Sequence, residues 1–327
     1  MADVARLAGI SAQTVSRVIS RPELVTTATR EAVQQAIERL NYIPNGAARN
    51  LASSSSRMIA IIIPTLSASA YAEEVSEIVR VLETRNFSTL IGNSDYSRPR
   101  EERLVQLFLE RRPDGFIITG LNHSPRTTQL LRQSGVPVVE TWDTDGEPID
   151  LSVGFSNRAA GDLVGDLFIS RGARRIAFAG GTFDEDDRAR LRWEGLIRAL
   201  GRAGLEPVAR AEFPLPLKAE YGGHALDIIL AQDPMVEAIF FTTDTLALHA
   251  LLECNRRGIK VPEQLAICGF GNYDLSGVVT PGLTTVQAPV RKMGAAAAER
   301  VLARLSGEIL PKKTLNLKIK LIRRGSA

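Results

Sequence analysis

The chain has 327 residues, 44% of them hydrophobic and 24% charged, with a formal charge of +3. That length exceeds one ordinary core and suits two or three globular domains. No run of about 18 apolar residues is present, which excludes a transmembrane helix, and two cysteines, Cys254 and Cys268, supply neither a disulfide framework nor a zinc site.

The first twenty residues predict helix, tight turn, helix. Asp3 to Ala8 forms a short helix anchored by Val4 and Leu7, with Ala5 small where a second helix crosses. Gly9 suits the left-handed position that ends it. Ile10 plugs the turn and Ser11 caps the next helix. Val15 and Val18 then face inward, leaving Ala12, Gln13, Ser16 and Arg17 outward. Gln13 and Arg17 share a face. Gln can grip adenine, Arg guanine, and Ala a thymine methyl, so this face offers what a DNA major groove reads. Ser11, Ser16 and Arg30 are expected to contact the sugar–phosphate backbone. Residues 1–57 hold seven arginines against four acids, so they carry the whole net charge. A basic head on a neutral body is the distribution of a small nucleic-acid module joined to something else.

Thr29 to Leu40 predicts a third helix, capped by Thr26 or Thr27, with Val33, Ile37 and Leu40 as its covering stripe. Pro44 breaks the chain. Residues 45–52 form a short helix capped by Asn45, with Ala47, Ala48, Leu51 and Ala52 as its apolar set. Gly46 and Asn50 make it marginal alone. Ser53 to Ser56 is a flexible tether. The segments DVARLAGISAQTVSRVIS and TREAVQQAIERLNYIPNGAARNLAS together resemble the headpiece and hinge of the lactose-repressor (LacI/GalR) family of bacterial transcription regulators, almost unbroken over about 50 residues. The resemblance implies a DNA-binding headpiece at 1–44, a hinge at 45–57, and an effector-binding and dimerisation core at 58–327. It further implies that Asn45, Ala48 and Leu51 meet the minor groove, with Leu51 wedged into a base step.

From Met58 the period changes. Apolar strands at 58–63, 88–93, 115–120 and 136–142 alternate with helices at 71–85, 100–111 and 126–133. A second series follows: helix 157–171, strand RRIAFAGG, helices 188–203 and 221–231, strand AIFFTT, helix 246–257 and strand LAICGF. This alternation predicts α/β architecture with parallel sheets in two units. Leu315 to Leu321 alternates as one half-exposed strand. Two such lobes are similar to periplasmic sugar-binding proteins. The family connectivity implies lobe 1 at about 58–155 and 289–315, and lobe 2 at about 156–288 and 316–327.

Ligands of open α/β sheets sit at the carboxyl ends of strands. The loop ends there include Tyr71, Asn122, Trp142, Thr243, Asp244 and Asn272. By position, Arg192 matches the family's cleft arginine, whose fork suits hydroxyls or carboxylates. Tyr71 matches an aromatic lining position, and Thr243, Asp244 and Gln287 fall where the family often contacts ligand or hinge. Many sugar-binding members carry Gly–aromatic–Asp after the late strand. Here the residues are Gly269, Phe270, Gly271 and Asn272, so the acid is missing. That absence, beside Arg188, Arg190 and Arg192, tilts the site toward an anion. VVETWD (138–143) and VGFSN (153–157) also resemble the gluconate-operon repressors of the family, so the expected effector is a sugar or sugar acid such as gluconate.

Gly180–Gly181 lacks the rest of a phosphate-binding motif. The acids at 184–187 read as a solvated loop, and His123, His224 and His249 as isolated. No catalytic constellation emerges, and neither a cofactor nor a metal is expected. The expected partners are a near-palindromic double-stranded DNA operator, a small effector and a second copy of the chain, in the cytoplasm and without a membrane. A sugar-binding protein of the periplasmic fold, serving uptake or sensing, is the alternative. It would carry an export signal and no basic head.

Overall fold

The computed structural model describes residues 1–20, 24–42 and 55–327. The chain divides into two compact units, Met1–Arg57 and Met58–Ala327. No helix among the described residues is long and apolar enough to cross a membrane.

The first unit is helical. Helix α1 (Ala2–Ala8) ends at Gly9, whose φ of +67° costs a glycine little. Helix α2 (Ala12–Ser20) is preceded by Ser11, whose Oγ accepts from Thr14 N at 3.1 Å. Helix α3 (Thr27–Arg39) is capped by Thr26. Val4, Ala5, Val15, Val18, Val33 and Ala36 form the core. Two expected core leucines are on the surface: Leu7 is 47% exposed and Leu40 43%. Helix α1 turns its Val4–Ala5 edge inward, and Leu7 lies off that edge. Leu40 is the residue on which α3 stops; Tyr42, whose amide returns to the Ile37 carbonyl at 3.0 Å, packs against the core in its place. The proposed hinge helix at 45–52, with Asn45, Ala48 and Leu51, lies outside the described residues.

The second unit holds two six-stranded sheets. The first lobe runs β1 (Met58–Ile63), α4 (Ser69–Glu83), β2 (Ser88–Asn93), α5 (Arg98–Glu110), β3 (Gly115–Thr119), α6 (Pro125–Ser134), β4 (Val138–Thr141) and β5 (Leu151–Gly154). The second runs α7 (Asn157–Ser170), β6 (Ile176–Gly181), α8 (Asp187–Arg202), β7 (Ala209–Phe213), α9 (Tyr221–Gln232), β8 (Ala238–Phe241), α10 (Asp244–Arg257), β9 (Ala266–Phe270) and β10 (Thr284–Gln287). Helix α11 (Val290–Leu305) then packs back on α4.

The single alternating strand expected at the end is instead two. β11 (Thr314–Asn316) joins the first sheet beside β5, and β12 (Lys320–Ile322) joins the second, antiparallel to β10. The apolar alternation continues unbroken through the chain's change of sheet, because each half buries one face on a different lobe. The other strand pairs are parallel. Their carboxyl ends therefore collect at one edge of each sheet, where loops carry the polar side chains.

Candidate functional site

In the helical unit the outward row of α2 forms as its spacing requires. Ser11, Ala12, Gln13, Arg17 and Arg30 are exposed, and Ser16 is half-buried. Val15 and Val18 beneath them are buried, so Gln13 and Arg17 project from a pinned helix. The Ser11 hydroxyl is already occupied as a cap and bonds Thr14 Oγ1 at 2.9 Å.

In the second unit a cavity of about 360 Å³ opens at the strand ends. Its chemistry starts from α8. Arg188 and Arg192 are four residues apart, so both face the cleft. Helix α8 sits close to α7 because glycines remove the side chains between them. A Cβ on Gly195 would lie 2.0 Å from the Arg158 carbonyl oxygen, and one on Gly161 would lie 1.9 Å from that of Arg192. Arg192 is buried. Its Nε donates to Asn157 Oδ1 at 3.1 Å and its Nη1 to the Thr242 carbonyl at 2.8 Å. The guanidinium lies 3.6 Å over the Phe270 ring, a cation–π stack that fixes its plane. Burial pulls its pKa down to about 10, so it stays charged at neutral pH.

Arg188 spans the lobes, donating from Nη1 to the Tyr71 hydroxyl at 2.8 Å. Burial opposes its charge, but Asp186 and the hydroxyls of Tyr71 and Tyr96 outweigh that and raise its pKa above the ordinary value. Burial pushes the Tyr71 phenol up as well, with Arg188 opposing. Trp142 stands 4.7 Å from the Tyr71 ring. The charged side chains lining the cavity are Arg188, Arg192 and Lys218 against Asp95 and Asp186, a formal excess of one cation.

Of the residues expected at the ligand, the cavity brings together Tyr71, Trp142, Arg188, Arg192 and Thr243. Thr243 also caps α10, accepting from Thr245 N at 3.3 Å. Four others lie elsewhere. Asn122 lines an adjoining cavity of about 340 Å³ and donates to Asp187 Oδ2 at 2.5 Å. Asp244 is wholly buried and saturated: its Oδ2 accepts from Tyr273 N and Ser276 Oγ, and its Oδ1 from Thr285 Oγ1. It holds the loop after β9 against α10. Asn272, the candidate replacement for the missing acid, accepts from Arg324 at 2.7 Å and does not line the cavity. Gln287 sits half-buried in the β10–β12 ladder, opposite Lys320.

The acidic run is not merely solvated. Asp186 caps α8 through Ala189 N at 3.0 Å, and Asp187 pairs with Arg98 and Arg190 at 3.2 Å each. Nor is His123 isolated. Its Nδ1 lies 2.8 Å from Glu101 Oε1 and its Nε2 3.3 Å from Glu140 Oε1. Those partners are 22 and 17 residues away and meet only in the folded lobe. His249 Nδ1 likewise accepts from Gly223 N at 3.2 Å.

Tyr96, Asp95 and Tyr273 line the cavity without having been expected there, and Phe270 lines it from the 269–272 loop end. The signal for two of them was available: Asp95 and Tyr96 follow β2, and its carboxyl end belongs to the same edge as those of β1, β3 and β4.

Residues 1–45 match the model of bacterial regulatory proteins of the lacI family, and residues 166–327 that of a periplasmic binding protein-like domain. A relative in Pseudomonas aeruginosa, the HTH-type transcriptional regulator GntR, is 36% identical over 325 residues, covering 99% of this chain and 94% of its own. Its namesake in Escherichia coli is 34% identical, covering 96% and 94%. A LacI-family transcriptional regulator from Silicibacter pomeroyi superposes with a TM-score of 0.92 at 34% identity, covering 99% and 98%. The lac repressor dimer bound to operator and the anti-inducer ONPF superposes at 0.88 with 27% identity, covering 99% and 97%.

Proposed function

This chain belongs to the lacI family of bacterial regulatory proteins and is a DNA-binding transcriptional regulator; from that premise we propose that it is a homodimeric, cytoplasmic repressor whose operator binding is controlled by a sugar acid such as gluconate. The observation that carries the effector class is the paired guanidiniums, Arg188 and Arg192, in a cavity whose lining has more cations than acids. A carboxylate placed between them takes charge-assisted hydrogen bonds of the bidentate kind. Asn272, tied to Arg324, brings no acid to that lining. The domains follow: 1–44 reads DNA, 45–57 is the hinge, and 58–327 holds the effector.

Two headpieces would read the half-sites of a near-palindrome. Ala12, Gln13 and Arg17 would meet bases, with Ser11, Ser16 and Arg30 nearer the phosphates. Asn45, Ala48 and Leu51, which lie outside the described residues, would enter the minor groove, with Leu51 as the wedge. Effector closing the cleft would change the spacing of the two hinges and so bias one two-state element. A sugar-uptake role is disfavoured by the match of residues 1–45 to a DNA-binding module.

Titration calorimetry with gluconate and with glucitol, its neutral alcohol analogue, tests the effector class. Gluconate should bind at least tenfold more tightly. Equal affinities, or binding of glucitol alone, would overturn the acid-sugar reading.

A further inference from the structure

Glu74 lies on α4, wholly buried, one turn from Tyr71. Its Oε2 accepts from the Trp142 indole Nε1 at 2.5 Å. Trp142 is held in the left-handed region, with φ of +70°, a conformation that a bulky side chain keeps only where its surroundings impose it. The opposite end of the same residue is also fixed: its carbonyl accepts from Asn157 Nδ2 at 3.0 Å. Asn157 Oδ1 in turn accepts from Arg192 Nε at 3.1 Å. An unbroken line of contacts thus runs from Glu74 in the first lobe, through Trp142 and Asn157, to Arg192 in the second.

We infer that Glu74 is a positioning residue of the effector cleft, which pins the strained Trp142 as one wall and through Asn157 sets the guanidinium of Arg192. The inference deepens the effector-cleft reading and rests on it for its ligand arm. Among the described residues, no cation pairs directly with Glu74. The Thr141 hydroxyl is near without a well-formed bond, and Glu74 Oε1 has no hydrogen bond among the described residues. From α8 and its cap, Arg188 and Asp186 line the cavity, and Arg188 acts on Glu74 through its charge alone. From α11 the approach is backbone, with Gly294 placed so that a Cβ would come within 2.7 Å of the Glu74 carbonyl. Of the cations of that helix, Arg291, Lys292 and Arg304 are exposed and Arg300 is half-buried, donating to the Lys313 carbonyl at 2.9 Å, while Arg291 lies 3.4 Å from Glu73. Burial therefore dominates and pushes the Glu74 carboxyl up to about 7, with Trp142, Thr141 and Arg188 pulling the other way. The grip on the indole changes character within the physiological range, because a carboxylate is a stronger acceptor than a carboxylic acid.

The test has one arm that needs no ligand. Trp142 and Trp193 are the two tryptophans, so Trp193→Phe leaves Trp142 as the sole indole reporter. Its emission should shift between about pH 5 and pH 9 with a midpoint near 7. Glu74→Gln keeps an acceptor for the indole and should abolish that shift while holding gluconate affinity within threefold. Glu74→Leu removes the acceptor and should weaken gluconate at least tenfold. A pH shift that survives Glu74→Gln would assign it to another group, such as Asp143, and overturn the inference. So would a folded, operator-binding Glu74→Leu with wild-type affinity. If Glu74→Leu does not fold, the Glu74→Gln titration decides. Should gluconate bind none of the proteins, the acid-sugar reading falls by itself, and the fluorescence titration still decides the role of Glu74.

Discussion

Replacing Arg188 by Gln separates an acid-sugar site from a general sugar site. The substitution removes the bond from the guanidinium to the Tyr71 hydroxyl at 2.8 Å and leaves Asp186, whose Oδ1 lies 4.0 Å from Arg188 Nε, without that cation. The cavity lining falls from three cations against two acids to an even balance, Arg192 and Lys218 against Asp95 and Asp186. A unit charge pair about 4 Å apart at an effective dielectric near 20 is worth roughly 4 kcal/mol before desolvation. A hydrogen bond to a charged group contributes about 1.5–3 kcal/mol net. The net figure is the relevant one for binding, because both partners give up water. Arg188→Gln should therefore weaken gluconate by roughly 10- to 150-fold, at about 1.4 kcal/mol per decade. Glucitol, which keeps the hydroxyls and lacks the carboxylate, should change threefold or less. Calorimetry at neutral pH measures both. Equal losses for the two ligands, or unchanged gluconate affinity, would refute the assignment of Arg188 to the carboxylate.

Gly195→Ala places a methyl 2.0 Å from the Arg158 carbonyl, whereas Gly201 on the same helix has open space around it. Thermal melts should show Gly195→Ala destabilised by about 3 kcal/mol or more through overpacking against backbone, with Gly201→Ala neutral to stabilising by about 0.5–1 kcal/mol; equal melts would refute the close α7–α8 crossing. Burial disfavours the charge on His123, but Glu101 and Glu140 more than offset it and raise its pKa to about 10. A raised histidine contributes stability that is fully present below its ordinary pKa of 6.5 and is lost as pH rises through about 10. Denaturant midpoints should fall across that window, and His123→Gln should flatten the fall while costing roughly 3–5 kcal/mol at neutral pH; an unaltered pH profile would remove His123 from the account of stability. Gln13→Ala should cost about 1–3 kcal/mol in discrimination at one operator base pair. Uniform weakening on all sequences would mark Gln13 as a backbone contact instead.

Local signals were legible where short-range chemistry decides the outcome. Gly9, Ser11 and Thr26 end or cap their helices because φ and hydrogen-bond demands act over three or four residues. Long buried strands such as MIAIII announce themselves by composition. Strands β5, β7 and β10 did not. β7 is an edge strand whose Arg210 and Glu212 point away from the core, and β5 and β10 break their apolar runs with Ser152 and with Thr284 and Thr285. Charge identity was legible at Arg188 and Arg192, but saturation was not. Asp244 and Asn272 look like ligand residues until Ser276, Thr285 and Arg324, distant in sequence, are seen to occupy them. The same holds for Glu74, an unremarkable helix residue whose role depends on a tryptophan 68 positions away.

The most direct test of coupling between cleft and DNA is a fluorescence anisotropy titration of a palindromic operator with and without saturating gluconate. The expected result is tight, sequence-specific binding that weakens when gluconate is present. Tight operator binding indifferent to gluconate would contradict control by a sugar acid and leave a regulator with a different effector.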